Sequence, residues 1–235
     1  ATRVVLNSNY PPTGDVTIIG TLTEGATLTA HNTLADANGI GAITYQWKAD
    51  DDDIYGATEA TYQLTQEEVG KHISVVASYT DNGDTLESVS SVATGITVAN
   101  TNNDPTGTIT ITGTAKEGSI LNIVDTLKDT DNENSVISEK SYQWRVLSDD
   151  GITWVNIAGA THSSLTLTEA QVGKKVSVVL SYTDDYGKAE TVASSNNTSR
   201  VKNENNNPEG KVTITGVAKF GKTLYADHSL TDADG

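Results

Sequence analysis

Three short acidic turns hold most of the chemistry available in this sequence. Asp36-Ala37-Asn38-Gly39, Asp129-Thr130-Asp131-Asn132 and Asp232-Ala233-Asp234-Gly235 set side-chain oxygens on alternate residues and close on Gly or Asn, which tolerate positive φ. Such a loop can turn two hard oxygens to one side, as calcium loops do. The same residues also build Asx turns that bind nothing. There is no cysteine, and His31, His72, His162 and His228 have no mutual metal spacing, which argues against thiolate and transition-metal sites. No histidine-containing constellation repeats and no nucleophile motif occurs, so the chain reads as non-enzymatic.

The turns recur because the chain itself repeats. Pro12, Pro105 and Pro208 close polar junctions, are 93 and 103 residues apart, and are each followed by a β-branched run. Asp36, Asp129 and Asp232 each fall 24 residues after their proline. The reading is a preceding copy ending in 1–11, a first repeat over 12–104, a second over 105–207, and a third that begins at 208–235 with strands A and B alone. The second repeat is longer in two places: between Asn132 and Lys140, and in a hairpin over 147–154 that turns at Asp150-Gly151.

Short alternating runs make each repeat an all-β unit of about seven strands. In the first they are A at Val16–Gly20, B at Thr27–His31, C at Ile43–Lys48, a short D near Ile54-Tyr55, E at Thr61–Leu64, F at Ile73–Tyr79 and G at Glu87–Val98. Nothing keeps a helical period, and a two-sheet sandwich follows. An apolar pair of strands at 211–225 would have to pack against something, a neighbouring chain or the preceding repeat.

Tyr45-Gln46-Trp47 and Tyr142-Gln143-Trp144 stand where immunoglobulin-like domains keep a buried strand-C Trp. Leu64-Thr65-Gln66-Glu67-Glu68-Val69-Gly70 and Leu167-Thr168-Glu169-Ala170-Gln171-Val172-Gly173 look like the helical turn between E and F. With Gly56-Ala57-Thr58, Ser78-Tyr79-Thr80-Asp81 and the terminal acidic turn, the pattern resembles the tandem Ig-like extender repeats of giant calcium-dependent RTX and biofilm adhesins. The resemblance implies an extracellular, bacterial-surface setting and a structural role. The chain would then be a piece of a longer protein whose partners are its own neighbouring repeats.

If the strands alternate in direction, the B–C and F–G loops meet the incoming linker at one end of each repeat. In the second repeat that end gathers Asn102, Asp104, Asp129, Asp131, Asp184 and Asp185; in the first, Asp36, Asn38, Asp81 and Asp84, with Pro11 in place of the linker acid. Glu24, Glu67 and Glu68 would face the next repeat from the A–B and E–F turns. So many oxygens without counter-charge point to Ca2+. The third copy is the poorest candidate, with Asn207 in place of Asp104 and no F–G loop. Asp50-Asp51-Asp52-Asp53 reads as a solvated turn.

With 31 acidic against 15 basic residues and a formal net charge of −16, nucleic acid and anionic membranes are poor partners, and no apolar run is long enough to span a bilayer. Two other readings stay open. Trp154, in the longer hairpin, is a surface aromatic that could stack on carbohydrate or else cover a sheet edge. The third copy could mediate homotypic contacts in a surface-layer or filament subunit.

Overall fold

The computed structural model describes residues 8–232 and 234, and the chain divides after Asn103 into two compact units, 1–103 and 104–235. The division falls one residue before the junction proline boundary read from the repeats. The strand expected at Arg3–Leu6, and Ala233 and Gly235 of the last acidic turn, lie outside the described residues.

Unit 1 contains β1 (Val16–Ile19), β2 (Thr27–Asn32), β3 (Thr44–Ala49), β4 (Asp52–Asp53), β5 (Thr61–Gln63), β6 (Ile73–Thr80) and β7 (Leu86–Ser90). These form two antiparallel sheets, ordered β1-β2-β5 and β4-β3-β6-β7. Unit 2 repeats the plan with β8 (Ile109–Thr112), β9 (Ile120–Asp125), β10 (Ser141–Leu147), β11 (Trp154–Asn156), β12 (Ser164–Thr166), β13 (Val176–Thr183) and β14 (Ala189–Ala193). Its sheets run β8-β9-β12 and β11-β10-β13-β14. In immunoglobulin letters this is A-B-E against C′-C-F-G, so the chain is all-β, with tandem Ig-like sandwiches.

Period-2 alternation explains which side chains enter each core. On β6, Ile73, Val75, Ala77 and Tyr79 are buried, and on β13 Val176, Val178, Leu180 and Tyr182 hold the same places. Trp47 and Trp144 are fully enclosed, and each indole N–H donates to a carbonyl, Glu59 O and His162 O, both at 2.9 Å. The neighbouring Gln46 and Gln143 donate to the Ile54 and Ile157 carbonyls, holding the chain that leaves C′ against strand C. The expected turn before F is a single 3-10 turn in both units, closed by capping boxes, Thr65 with Glu68 and Thr168 with Gln171.

The junction glycine has a steric reason. Gly14, Gly107 and Gly210 have φ of 90°, 93° and 109°, and a Cβ there would lie 2.1–2.3 Å from a carbonyl oxygen, of Thr33, Thr126 or Ser229. Only glycine lets the entering chain lie this close to the segment after strand B.

Two strands differ from the sequence reading. The strand expected near Ile54-Tyr55 is instead β4, one step earlier, and pairs with β3. Asp50 and Asp51 take positive φ (47° and 71°) in a two-residue hairpin loop that fixes Lys48 opposite Asp53. Strand G ends at Ser90, because Ser91 and Thr94 turn their hydroxyls onto the amides of Val75 and Ile73. Val98 then bridges to Val69 in parallel.

The third copy is a lone hairpin, β15 (Val212–Gly216) with β16 (Leu224–His228). Val212, Ile214 and Leu224 occupy the register of Ile109, Ile111 and Leu121, which are buried in unit 2, yet here all three are exposed. Of the two covers expected for this hairpin, a neighbouring chain or the preceding repeat, the preceding repeat does not bury these three side chains. Its antiparallel ladder pairs the backbone groups that face inward, both outer strand edges are open, and no second sheet covers its apolar face among the described residues.

Candidate functional site

In both units the B–C loop, the F–G loop and the entry to the sandwich meet at one end, as alternating strand directions require. The first aspartate of each acidic turn is an anchor for tyrosine. Asp36 Oδ1 accepts the Asn38 amide (2.7 Å) and Oδ2 accepts the Tyr79 hydroxyl (2.7 Å). Asp129 does the same with Asp131 N (2.9 Å) and Tyr182 Oη (2.6 Å), and Asp232 takes Asp234 N at 3.0 Å. The Asx-turn geometry is therefore present in all three copies. Burial, followed by the Asp36 carboxylate, pushes the Tyr79 hydroxyl up to about 12. The Tyr182 hydroxyl is raised too, by burial first, then by Asp129, Glu190 and Asp184.

The F–G loop supplies the second carboxylate. Asp81 is 4% exposed; its Oδ1 accepts the amides of Gly83 and Thr85, both at 2.8 Å, while its Oδ2 is enclosed without a hydrogen-bond partner. Asp184, 5% exposed, repeats this: Oδ1 takes Tyr186 N and Lys188 N at 2.9 and 2.7 Å, and Oδ2 has no partner.

A third acid comes from strand G and was not singled out from sequence. Glu87 on β7 brings a carboxylate oxygen within 4.8 Å of Asp36 and Asp81, and Asn9 of the incoming segment donates to its Oε1 at 2.7 Å. Its counterpart Glu190 has an enclosed Oε1 without a partner. Both stand in alternating polar strand sequence, where a glutamate reads as solvent-facing. Their placement six residues after the F–G aspartate is the only signal the sequence holds.

Several expected ligands do other work. Asp84 is an exposed turn residue at φ 64°. Asp185 accepts the Glu133 amide (2.7 Å), pinning the insertion of the second repeat, and Asn132 donates to it at 3.4 Å. Asn38 clasps the incoming chain, accepting Tyr10 N at 2.8 Å and donating to Ser8 O at 3.1 Å. Asn102 and Asp104 are exposed, and it is Asn103 that donates to Glu24 Oε1, at 3.1 Å. Asp131 is 1% exposed. Glu67 is exposed, and Glu68 turns inward to cap Thr65.

At the other end of unit 2 a separate acidic group joins the second repeat to the third hairpin. Glu117, Glu169 and Asp234 place carboxylate oxygens within 4.8 Å of one another. Sequence ranked this junction last, because it weighed residue 207 and the F–G loop; the structure builds it from the A–B and E–F turns. The E–F contributor, Glu169, corresponds to Gln66 in the first repeat and not to Glu67. Burial, then Glu117 and Asp234, raises the Glu169 carboxyl above the usual range. Asn206 lies in the group, donating from Nδ2 to Glu117 Oε1 (3.1 Å) and from its backbone to Asp234 Oδ2 (2.6 Å). The backbone amide of Asn206 also holds Asp234 below its ordinary value.

All four aspartates of the run 50–53 are exposed, as expected of a solvated turn, and the side chains of two of them also make contacts. Asp50 accepts the His72 amide, and Lys48 pairs with Asp53 at 2.8 Å. Trp154 adds one rung, Leu147 opposite Trp154, to a hairpin that in unit 1 stops at Ala49 opposite Asp52. The Arg145 guanidinium lies 5.9 Å from its ring centroid. One face of the indole is thus occupied by a neighbouring strand.

No protein-family model matches the chain, and no curated protein does. Among solved structures, the three N-terminal domains of the bacteriophage RB49 Highly Immunogenic Outer Capsid protein (Hoc) are similar over 93% of this chain and 70% of that one, at 16% identity and a TM-score of 0.29. Similarity that low carries no argument about function.

Proposed function

We propose that this chain is a non-catalytic spacer from the extender region of a large bacterial surface adhesin, its Ig-like modules stiffened by calcium at their ends. The observation that carries the reading is the Asn206 clasp. One linker side chain is held by the A–B turn of the module it leaves, through Glu117, while its amide is held by the B–C loop of the copy it enters, through Asp234. A chain gripped on both sides loses hinge freedom, as a spacer needs. The grip is made of carboxylates, which repel one another unless a cation neutralises them. Asn103 with Glu24, and Tyr10 with Asn38, repeat the two halves of the clasp in unit 1.

An ion that binds only the folded, ordered ends stabilises them by mass action, by about 2.7 kcal/mol at a hundredfold excess over Kd. Its work is mechanical, holding a distal binding domain away from the cell. Thermal unfolding with calcium and with chelator tests this: the melting temperature rises with calcium, and an unchanged melt contradicts the reading. The carbohydrate-binding alternative rests on Trp154 alone, whose ring is shared with Arg145.

A further inference from the structure

We infer that each module contains its own divalent-cation site, complete without a neighbouring module, built on Asp36, Asp81 and Glu87 in the first and on Asp129, Asp184 and Glu190 in the second. The inference takes from the spacer reading only the identity of the ion, calcium. It adds the strand-G glutamate as a ligand and places the site inside the module.

Acidic clusters are common on acidic proteins, and proximity alone would carry nothing. The deciding feature is the enclosed oxygen. Asp81 is almost fully buried, and its loop satisfies Oδ1 twice while leaving Oδ2 sealed without a donor. Buried carboxylate oxygens are rarely left so, because each forfeits its hydration. The same orphan recurs at Asp184 Oδ2, 103 residues along the chain, on an identically wired loop, and Glu190 Oε1 adds a second enclosed oxygen there. A defect repeated at one place in two modules is a feature of the design.

No basic side chain answers these acids. The ion pairs found among the described residues are Lys48–Asp53, Lys116–Glu204 and Lys140–Asp125, and none involves the six carboxylates. The donor set is entirely oxygen, which selects a hard cation. In the first module one oxygen from each of the three carboxylates lies within 4.8 Å of the others; Asp129, Asp184 and Glu190 are not drawn that close, and the second site rests on its two enclosed oxygens. Opposite ligands of an ion bound at calcium's usual 2.3–2.6 Å are separated by at most about 5 Å, so oxygens gathered this closely can share one such ion. Both oxygens of Asp36 and Oε1 of Glu87 also accept hydrogen bonds, from Asn38 N, Tyr79 Oη and Asn9 Nδ2, which orient the carboxylates as outer-shell partners do.

The bonds from Tyr79 to Asp36 and from Tyr182 to Asp129 supply the assay. Terbium, which takes calcium's ligands, emits when excited through a nearby tyrosine. The chain, freed of metal by chelation, is titrated with terbium and then with competing calcium. We expect sensitised emission that calcium displaces, with one equivalent of binding weakened tenfold or more in Glu87→Gln and a second in Glu87→Gln/Glu190→Gln. Both glutamates are only partly buried, so these variants keep the fold, verified by circular dichroism; Asp81→Asn provides a second variant of the first site. Unchanged affinity and stoichiometry in the double variant overturn the inference, even where calcium still raises the melting temperature through the module ends. Absence of any calcium or terbium binding also overturns it, since the carboxylates then share protons or water. Binding that the variants abolish, in a chain whose small-angle scattering calcium leaves unchanged, upholds the site and refutes the stiffening.

Discussion

The tyrosine–aspartate bond that ties strand F to the B–C loop should contribute unequally in the two modules, and the difference can be worked from burial. Tyr182→Phe removes the donor at 2.6 Å from Asp129, which is 1% exposed, so the freed Oδ2 cannot turn to water. A hydrogen bond to a charged group is worth about 1.5–3 kcal/mol, and the enclosed partner sets the upper part of that range, about 2–3 kcal/mol. Tyr79→Phe removes the same bond to Asp36, which is only partly buried and can recover hydration, so about 1 kcal/mol is expected. For domains of this size about 2–3 kcal/mol lowers a melting temperature by roughly 8–20 °C. The assay is calorimetry in chelator, so that no ion offsets the loss, with the two modules assigned by their variants. Equal shifts in the two variants, or a loss below about 0.5 kcal/mol for Tyr182→Phe, would refute the reasoning that burial of the acceptor decides the cost.

Gly107→Ala should destabilise the second module by about 2–4 kcal/mol, from left-handed backbone strain at φ 93° and a Cβ placed 2.3 Å from the Thr126 carbonyl oxygen; a urea midpoint equal to wild type contradicts this. The Asp150 hairpin should be acid-sensitive in one direction. The Ser148 hydroxyl, then the Thr153 and Ile152 amides, hold Asp150 below the aspartate range, so its contribution is present above the ordinary value and is lost as pH falls through the depressed one. The amide NMR shifts of Ile152 and Thr153 should therefore titrate together with a midpoint below that of an exposed aspartate.

The sandwich could be read from sequence because its determinants are local and occur twice. Alternation on Ile73–Tyr79 gave a central strand that the repeat carries over to the second module, Tyr-Gln-Trp gave strand C, and the junction prolines gave the joints. Asp52–Asp53 was passed over as a strand because aspartate has poor β propensity, and here a turn with two left-handed residues imposes the pairing. At the loops, residue type alone could not separate the roles. Asp36, Asp81 and Asp84 look alike in sequence, yet one anchors a tyrosine, one buries an unpartnered oxygen and one faces solvent. That separation depends on which oxygens the folded loop amides satisfy. Glu87 and Glu190 were missed because an acid in an alternating strand ordinarily faces water, and only the approach of the F–G and B–C loops makes this face interior. Gln66 and Glu169 were displaced by their neighbour Glu67 because a single 3-10 turn gives no periodicity from which to tell its outward side.

The spacer account stands most directly on whether calcium removes hinge freedom from this chain. Small-angle scattering of residues 1–235, in calcium and in chelator at the same ionic strength, measures that. The account predicts a larger radius of gyration and a narrower distribution of end-to-end lengths with calcium, with both effects reduced in Asn206→Ala. Superimposable profiles in the two conditions would contradict it.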